Sequence, residues 1–146
     1  MTLIDAYGLV ALVAEEPSAR EVEGLLRKGD CGVVALNLAE AVDISQRIHG
    51  LSPNEVRQAL EPLILSGVVI VEISGQAEAW LAADIRAKHY DRTTCPLSMA
   101  DCFLLAHALV TGDDLATSDP DLARVARAEG ATVIALADRS GARPDP

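Results

Sequence analysis

Five short runs of β-forming character alternate along the chain with segments of helical periodicity, and this alternation constrains the fold more than any other feature. The runs fall at 2–5, 32–35, 68–73, 115–117 and 132–136. Between them the pattern predicts helices over 7–15, 17 to about 28, 37–49, 52 to about 66, 76 to about 90, 98 to about 111, and 120–129. Strands that alternate with helices pair in parallel, with helices on both faces of the sheet. The crossovers between them are right-handed. Local signals support the boundaries. Ser52-Pro53-Asn54-Glu55 is a capping box with proline at the first helical position, and Pro62 predicts a kink in the helix that follows. Pro17 suits the first turn of the second helix, and Trp80 is expected to pack inward. A chain of 146 residues that is 50% hydrophobic suffices for one domain with a real core. The domain is expected over 1–137, followed by a frayed polar tail over 138–146.

The acidic residues carry the functional signal. Asp5 follows the first strand, Glu40 lies just after the second, Asp101 opens an apolar helix, and Asp119 follows the fourth strand. Ligands of open parallel sheets bind outside the carboxyl ends of the strands. Acids far apart in sequence therefore converge there and can hold a hard divalent cation. Each also has an ordinary explanation. Asp5 can start a turn, and Glu40 can face solvent on an amphipathic helix. Asp101 can be the acidic half of a capping box with Ser98, and Asp119 can be an N-cap before Pro120. Four such explanations must all land on one edge of one sheet. Asn37 lies one helical turn before Glu40 and can hydrogen-bond it or a bound water. Thr117 precedes Asp119 by two residues and offers a hydroxyl to orient an acid.

Other chemistries find less support. His49, His89 and His107 share no ligand spacing, and Cys31, Cys95 and Cys102 are odd in number with no CxxC pair. No nucleophile elbow and no glycine-rich phosphate loop is present. Lys88, Arg92, Arg47 and Arg86 are scattered, and scattered bases are usually solvated. The net charge of −10 argues against a general nucleic-acid coat protein and favours a basic protein partner. No basic leader precedes the first strand, and no apolar run approaches the roughly 18 residues of a membrane span. A soluble cytoplasmic protein is the expectation.

These motifs, in this order, resemble those of the PIN-domain family, and within it the VapC-type toxins of toxin–antitoxin pairs. Leu3-Ile4-Asp5-Ala6-Tyr7-Gly8 is similar to the first motif and Leu36-Asn37-Leu38-Ala39-Glu40 to the second. Leu97-Ser98-Met99-Ala100-Asp101 is similar to the third, and Leu115-Ala116-Thr117-Ser118-Asp119-Pro120 to the fourth. The resemblance implies an α/β/α sandwich and a Mg²⁺- or Mn²⁺-dependent ribonuclease whose acids are Asp5, Glu40, Asp101 and Asp119, supported by Asn37 and Thr117. It also implies a homodimer held by a basic-tailed VapB-type antitoxin that occludes the site. Tyr7-Gly8 departs from the family pattern, where Ser or Asn often stands beside the first acid. A haloacid-dehalogenase-like phosphatase needs a second acid at position 7, which is tyrosine. A phosphorylated receiver domain needs paired acids and a late lysine, and no lysine follows Lys88. A non-catalytic RNA- or protein-binding module on the same fold is the remaining alternative.

Overall fold

A computed structural model describes all 146 residues. It contains five strands, β1 (Thr2–Ile4), β2 (Cys31–Val34), β3 (Val69–Glu72), β4 (Asp114–Thr117) and β5 (Val133–Ala135). Seven helices connect them: α1 (Ala6–Ala14), α2 (Ala19–Lys28), α3 (Ala35–His49), α4 (Pro53–Leu65), α5 (Gln76–His89), α6 (Met99–Thr111) and α7 (Pro120–Ala128). The strands form one parallel sheet in the order β3-β2-β1-β4-β5. The expected α/β class, strand number and three-layer arrangement are all present. The strand order reverses between β1 and β4, where Ile4 lies opposite Ala116. That reversal opens a crevice at the carboxyl ends of these two strands.

Successive residues of a strand point to opposite faces, and the core divides accordingly. Leu3, Val34 and Leu115 pack against α5, α6 and α7 through Ile85, Leu104, Leu105 and Leu122. Ile4, Val33 and Ala116 face the opposite layer, where Leu9, Val22, Ile44 and Leu60 of α1 to α4 cover them. Both faces of each central strand are thus dry, which explains the near-continuous apolar runs of the sequence. The three cysteines are free and buried. No helix is long and apolar enough to cross a membrane.

Two expectations, those for Trp80 and Pro17, need correction. Trp80 does not pack inward; it is 69% exposed, and α5 turns Ala82 and Ile85 to the core instead. Pro17 lies before α2, which starts at Ala19 after a Ser18 that makes no side-chain cap bond. Helix α4 runs to Leu65, close to its expected end, with Pro62 inside it and one backbone bond lost because proline has no N–H. The tail has no helix or strand, yet it is tied to the body. Asp138 Oδ1 accepts bonds from the N–H of Ser140 (2.8 Å) and of Ala142 (2.9 Å). Arg143 donates to Glu21 Oε2 and to the Ala135 carbonyl, both at 2.7 Å, and Pro144 is buried.

Candidate metal centre

Asp5 sits at the β1–α1 junction, in the crevice where the strand order reverses. It is 1% exposed and caps α1, its Oδ1 accepting the Gly8 N–H at 2.6 Å. Its Oδ2 accepts the Thr117 hydroxyl at 2.5 Å, a bond that joins the ends of β1 and β4. The Thr117 oxygen in turn accepts the Asp119 N–H at 3.0 Å. Thr117 thus orients the first acid and fixes the backbone of the last.

The ordinary readings of Asp101 and Asp119 are both realised. Asp101 completes a capping box, its Oδ2 accepting the Ser98 N–H at 2.8 Å while Ser98 Oγ accepts the Asp101 N–H at 3.0 Å. Asp119 caps α7, its Oδ1 accepting the N–H of Asp121 (2.7 Å) and of Leu122 (3.1 Å). Capping leaves the second oxygen of each carboxylate without a protein partner. Local helix chemistry holds the side chain and the free oxygen remains for a ligand, so the structural and functional roles coexist.

The four acids are close enough for their charges to act on one another. Burial, then the charges of Asp119 and Glu40, push Asp5 up to about 6, against the pull of its bonds to Thr117 and Gly8. Burial, then Glu40 and Asp119, push Asp101 up to about 7, with the Ser98 bonds opposing. Burial also holds Glu40 above the usual carboxylate range, countered by the Ser98 hydroxyl. Like charges around a partly dry site disfavour ionisation, and a cation relieves that cost.

Such a donor set fits a hard metal. It is all oxygen, the preference of Mg²⁺ and Mn²⁺, and it lacks the sulfur or imidazole of a zinc site. No three His, Cys, Asp or Glu side chains are closed up enough to hold one ion directly. Mg²⁺ is commonly held by one or two carboxylates and several waters, so it does not need three of these side chains as direct ligands.

Asn37 meets only one of its two expected roles. It is fully buried, and neither its amide nitrogen nor its amide oxygen has a hydrogen-bond partner. It makes no bond to Glu40. An unpaired buried amide is costly, so Asn37 is the residue at this end of α3 with most to gain from a bound water. The three histidines are occupied elsewhere or set apart. His49 contacts Glu16 at 2.9 Å, His89 contacts Glu129 at 2.5 Å, and His107 lies between Glu78 (3.6 Å) and Glu72 (3.9 Å).

Gly8 is a site residue that sequence reasoning passed over except as a departure. A Cβ there would stand 2.6 Å from Ile4 Cγ2 and 3.2 Å from Asp5 Oδ1. Ile4 is fully buried and has no room to retreat. Gly8→Ala should lower stability by about 1–2 kcal/mol, since overpacking costs about 1–3 kcal/mol and the better helix propensity of alanine returns part of it. Urea unfolding measures the loss. An unchanged midpoint would show that α1 shifts freely at its first turn.

The comparisons agree with this geometry. Residues 2–128 match the PIN domain family. No curated protein matches the sequence. Among solved structures, VapC20 of Mycobacterium tuberculosis, a toxin that cleaves the sarcin–ricin loop, is similar with a TM-score of 0.70 at 19% identity, covering 99% of this chain and 100% of that chain. The DNA-bound VapBC of Salmonella typhimurium gives 0.67 at 18% identity, covering 91% of this chain and 96% of that one. FitAcB of Neisseria gonorrhoeae gives 0.62 at 21% identity, with 92% and 96% covered. At these identities the structural likeness speaks for the fold alone. The match over residues 2–128 spans most of the chain, and the chain belongs to the PIN-domain family.

Proposed function

We propose that the chain is the toxin of a toxin–antitoxin pair and acts as a divalent-metal-dependent ribonuclease, with Asp5, Glu40, Asp101 and Asp119 as its acidic residues and Thr117 and Asn37 in support. The observation that carries this reading is the pinning of Asp5 across the strand-order reversal by Thr117. A carboxylate buried there and held at both oxygens has one orientation. It is paid for by little else in the fold, because a turn acid needs neither burial nor a bond from a residue 112 positions away.

A bound Mg²⁺ or Mn²⁺ would lower the pKa of an attacking water and neutralise charge developing on the scissile phosphate. The protein's own contribution is positional. Asp101 and Asp119 are fixed through one oxygen each and present the other, while the Ser98 hydroxyl favours the charged form of Glu40. The family membership supports the nuclease reading. The toxin–antitoxin reading draws on structural neighbours that are VapBC and FitAB assemblies. A basic-tailed VapB-type antitoxin would complement the acidic edge of a chain with net charge −10, and a homodimer is the proposed working form. A phosphatase of the haloacid-dehalogenase type is disfavoured because Tyr7 stands where its second acid belongs.

The direct test is incubation of the purified chain with single-stranded RNA, Mg²⁺ or Mn²⁺ being added or withheld. Endonucleolytic products are expected with either metal and none in EDTA. Equal cleavage in EDTA would remove the metal from the mechanism, and no cleavage under any condition would leave a binding module.

A further inference from the structure

Beside the acids lies a cleft of about 470 Å³, within the size range of small-ligand sites. Its walls carry Tyr7, Ile48 and Ser118, four acids (Glu16, Asp119, Asp121 and Asp138) and one cation, Arg139. It is continuous with the metal centre, because Asp119 borders both and Tyr7 is two residues from Asp5. Tyr7 is the aromatic residue of this cleft, and it is 40% exposed although most of α1 is buried. An aromatic ring left half in water beside a charged pocket has no role in the core.

Arg139 faces Tyr7 from the tail. The Asp138 turn holds it in place, accepting from Ser140 and Ala142. Its Nε donates to Glu16 Oε1 at 2.8 Å, and Nη2 lies 3.0 Å from His49 Nε2. A guanidinium has five N–H donors, so several remain free on a side chain that is half exposed. The cation is thereby aimed and partly committed, while its outer edge stays available.

We propose that Tyr7 and Arg139 form a nucleotide subsite next to the metal centre, in which the Tyr7 ring stacks on a base flanking the scissile phosphate and Arg139 grips the following phosphate. The inference rests on the ribonuclease reading and names how that site holds its substrate. An aromatic face serves any unstacked base of single-stranded RNA, and a planar guanidinium suits phosphate oxygens. The acids of the cleft would also attract a Lys- or Arg-rich peptide, so such a peptide is the competing occupant that the test must separate from RNA. The arrangement also answers how so acidic a chain holds an anionic polymer. The metal neutralises the scissile phosphate, and the tail supplies the cation for its neighbour.

Anisotropy of a labelled single-stranded RNA, measured with Ca²⁺ in place of Mg²⁺, tests the subsite apart from cleavage. Tyr7→Ala should weaken binding about 5- to 100-fold, the range for loss of one base–aromatic stack, while Tyr7→Phe binds like wild type. Arg139→Gln should weaken it several-fold and flatten the salt dependence by roughly 0.7 in slope, as expected for one phosphate contact to a single strand. Tyr7→Trp in a Trp80→Phe background carries one indole, and RNA should quench its emission. The proposal is overturned if Tyr7→Ala and Arg139→Gln bind RNA with wild-type affinity and slope, or if the indole responds to a Lys/Arg-rich peptide and not to RNA. Normal metal-dependent cleavage by those two variants, with KM unchanged, would end the subsite while leaving the ribonuclease reading intact. A wild-type chain that neither binds nor cuts RNA would end both.

Discussion

Asp5→Asn should unfold at a higher temperature than the wild type when no metal is present, and should lose both metal stabilisation and RNA cleavage. The buried carboxylate is raised from 3.8 to about 6. At neutral pH its ionisation therefore costs the metal-free fold about 3 kcal/mol, at about 1.4 kcal/mol per pKa unit. Asparagine removes the charge, keeps an oxygen for the Gly8 N–H, and turns its amide toward a Thr117 hydroxyl able to accept. Recovering even half of that cost raises Tm by roughly 5 °C for a chain of this size. Cleavage should fall about 10³-fold or more, because a metal centre contributes several kcal/mol to the transition state and each 1.4 kcal/mol is tenfold in rate. Calorimetry with and without Mn²⁺, beside a cleavage assay, reads all three effects. A variant less stable than wild type without metal, yet equally stabilised by Mn²⁺, would place the ion elsewhere.

Metal stabilisation should also grow steeply with pH between about 5.5 and 8. Asp5 and Asp101 take up protons at about 6 and about 7 in the folded protein, against 3.8 for a free aspartate. Over that interval the native state holds more protons than the unfolded chain, so the stability contributed by these two groups falls as pH rises. The contribution is unaffected below about pH 3.8, declines through the two folded values, and is fully lost above about 7. A cation must displace the same protons, so its binding strengthens as they leave. The melting-temperature gain from Mn²⁺ should be small at pH 5.5 and approach its plateau by pH 8. A gain independent of pH would mean that the buried acids are not the groups that meet the ion.

Much of this was legible before any coordinates. The strands are short, β-branched and apolar because both faces of the sheet are covered. The helix starts at Ser52, Ser98 and Asp119 carry their own capping chemistry, and all three caps form as written. Local sequence also put each acid at the end of a strand or in the first turns of a helix, and the parallel topology brings those ends to one edge. What stayed hidden depends on contacts between distant segments. Trp80 lies on a helix whose neighbour covers one face only, and composition does not say which face. The tail looks like polar coil, and its order comes from Glu21 and Ala135 accepting from Arg143. Gly8 looked like a departure from pattern, whereas its reason is a buried Ile4 methyl four residues earlier. Asn37 was read from spacing as a partner for Glu40 or for a bound water; its burial on the inner face of α3 takes it away from Glu40 and leaves the water.

The hydrogen bond from Thr117 to Asp5 has a consequence for synthesis. It ties two ends of chain made 112 residues apart, and it exists only after β4 has docked beside β1. Pairing so remote in sequence is slow, because the intervening loop must close before any contact rewards it. Asp5 is made 112 residues before Thr117, so its orientation awaits the synthesis and docking of β4. A polypeptide that stops short of β4 therefore lacks the bond that orients Asp5.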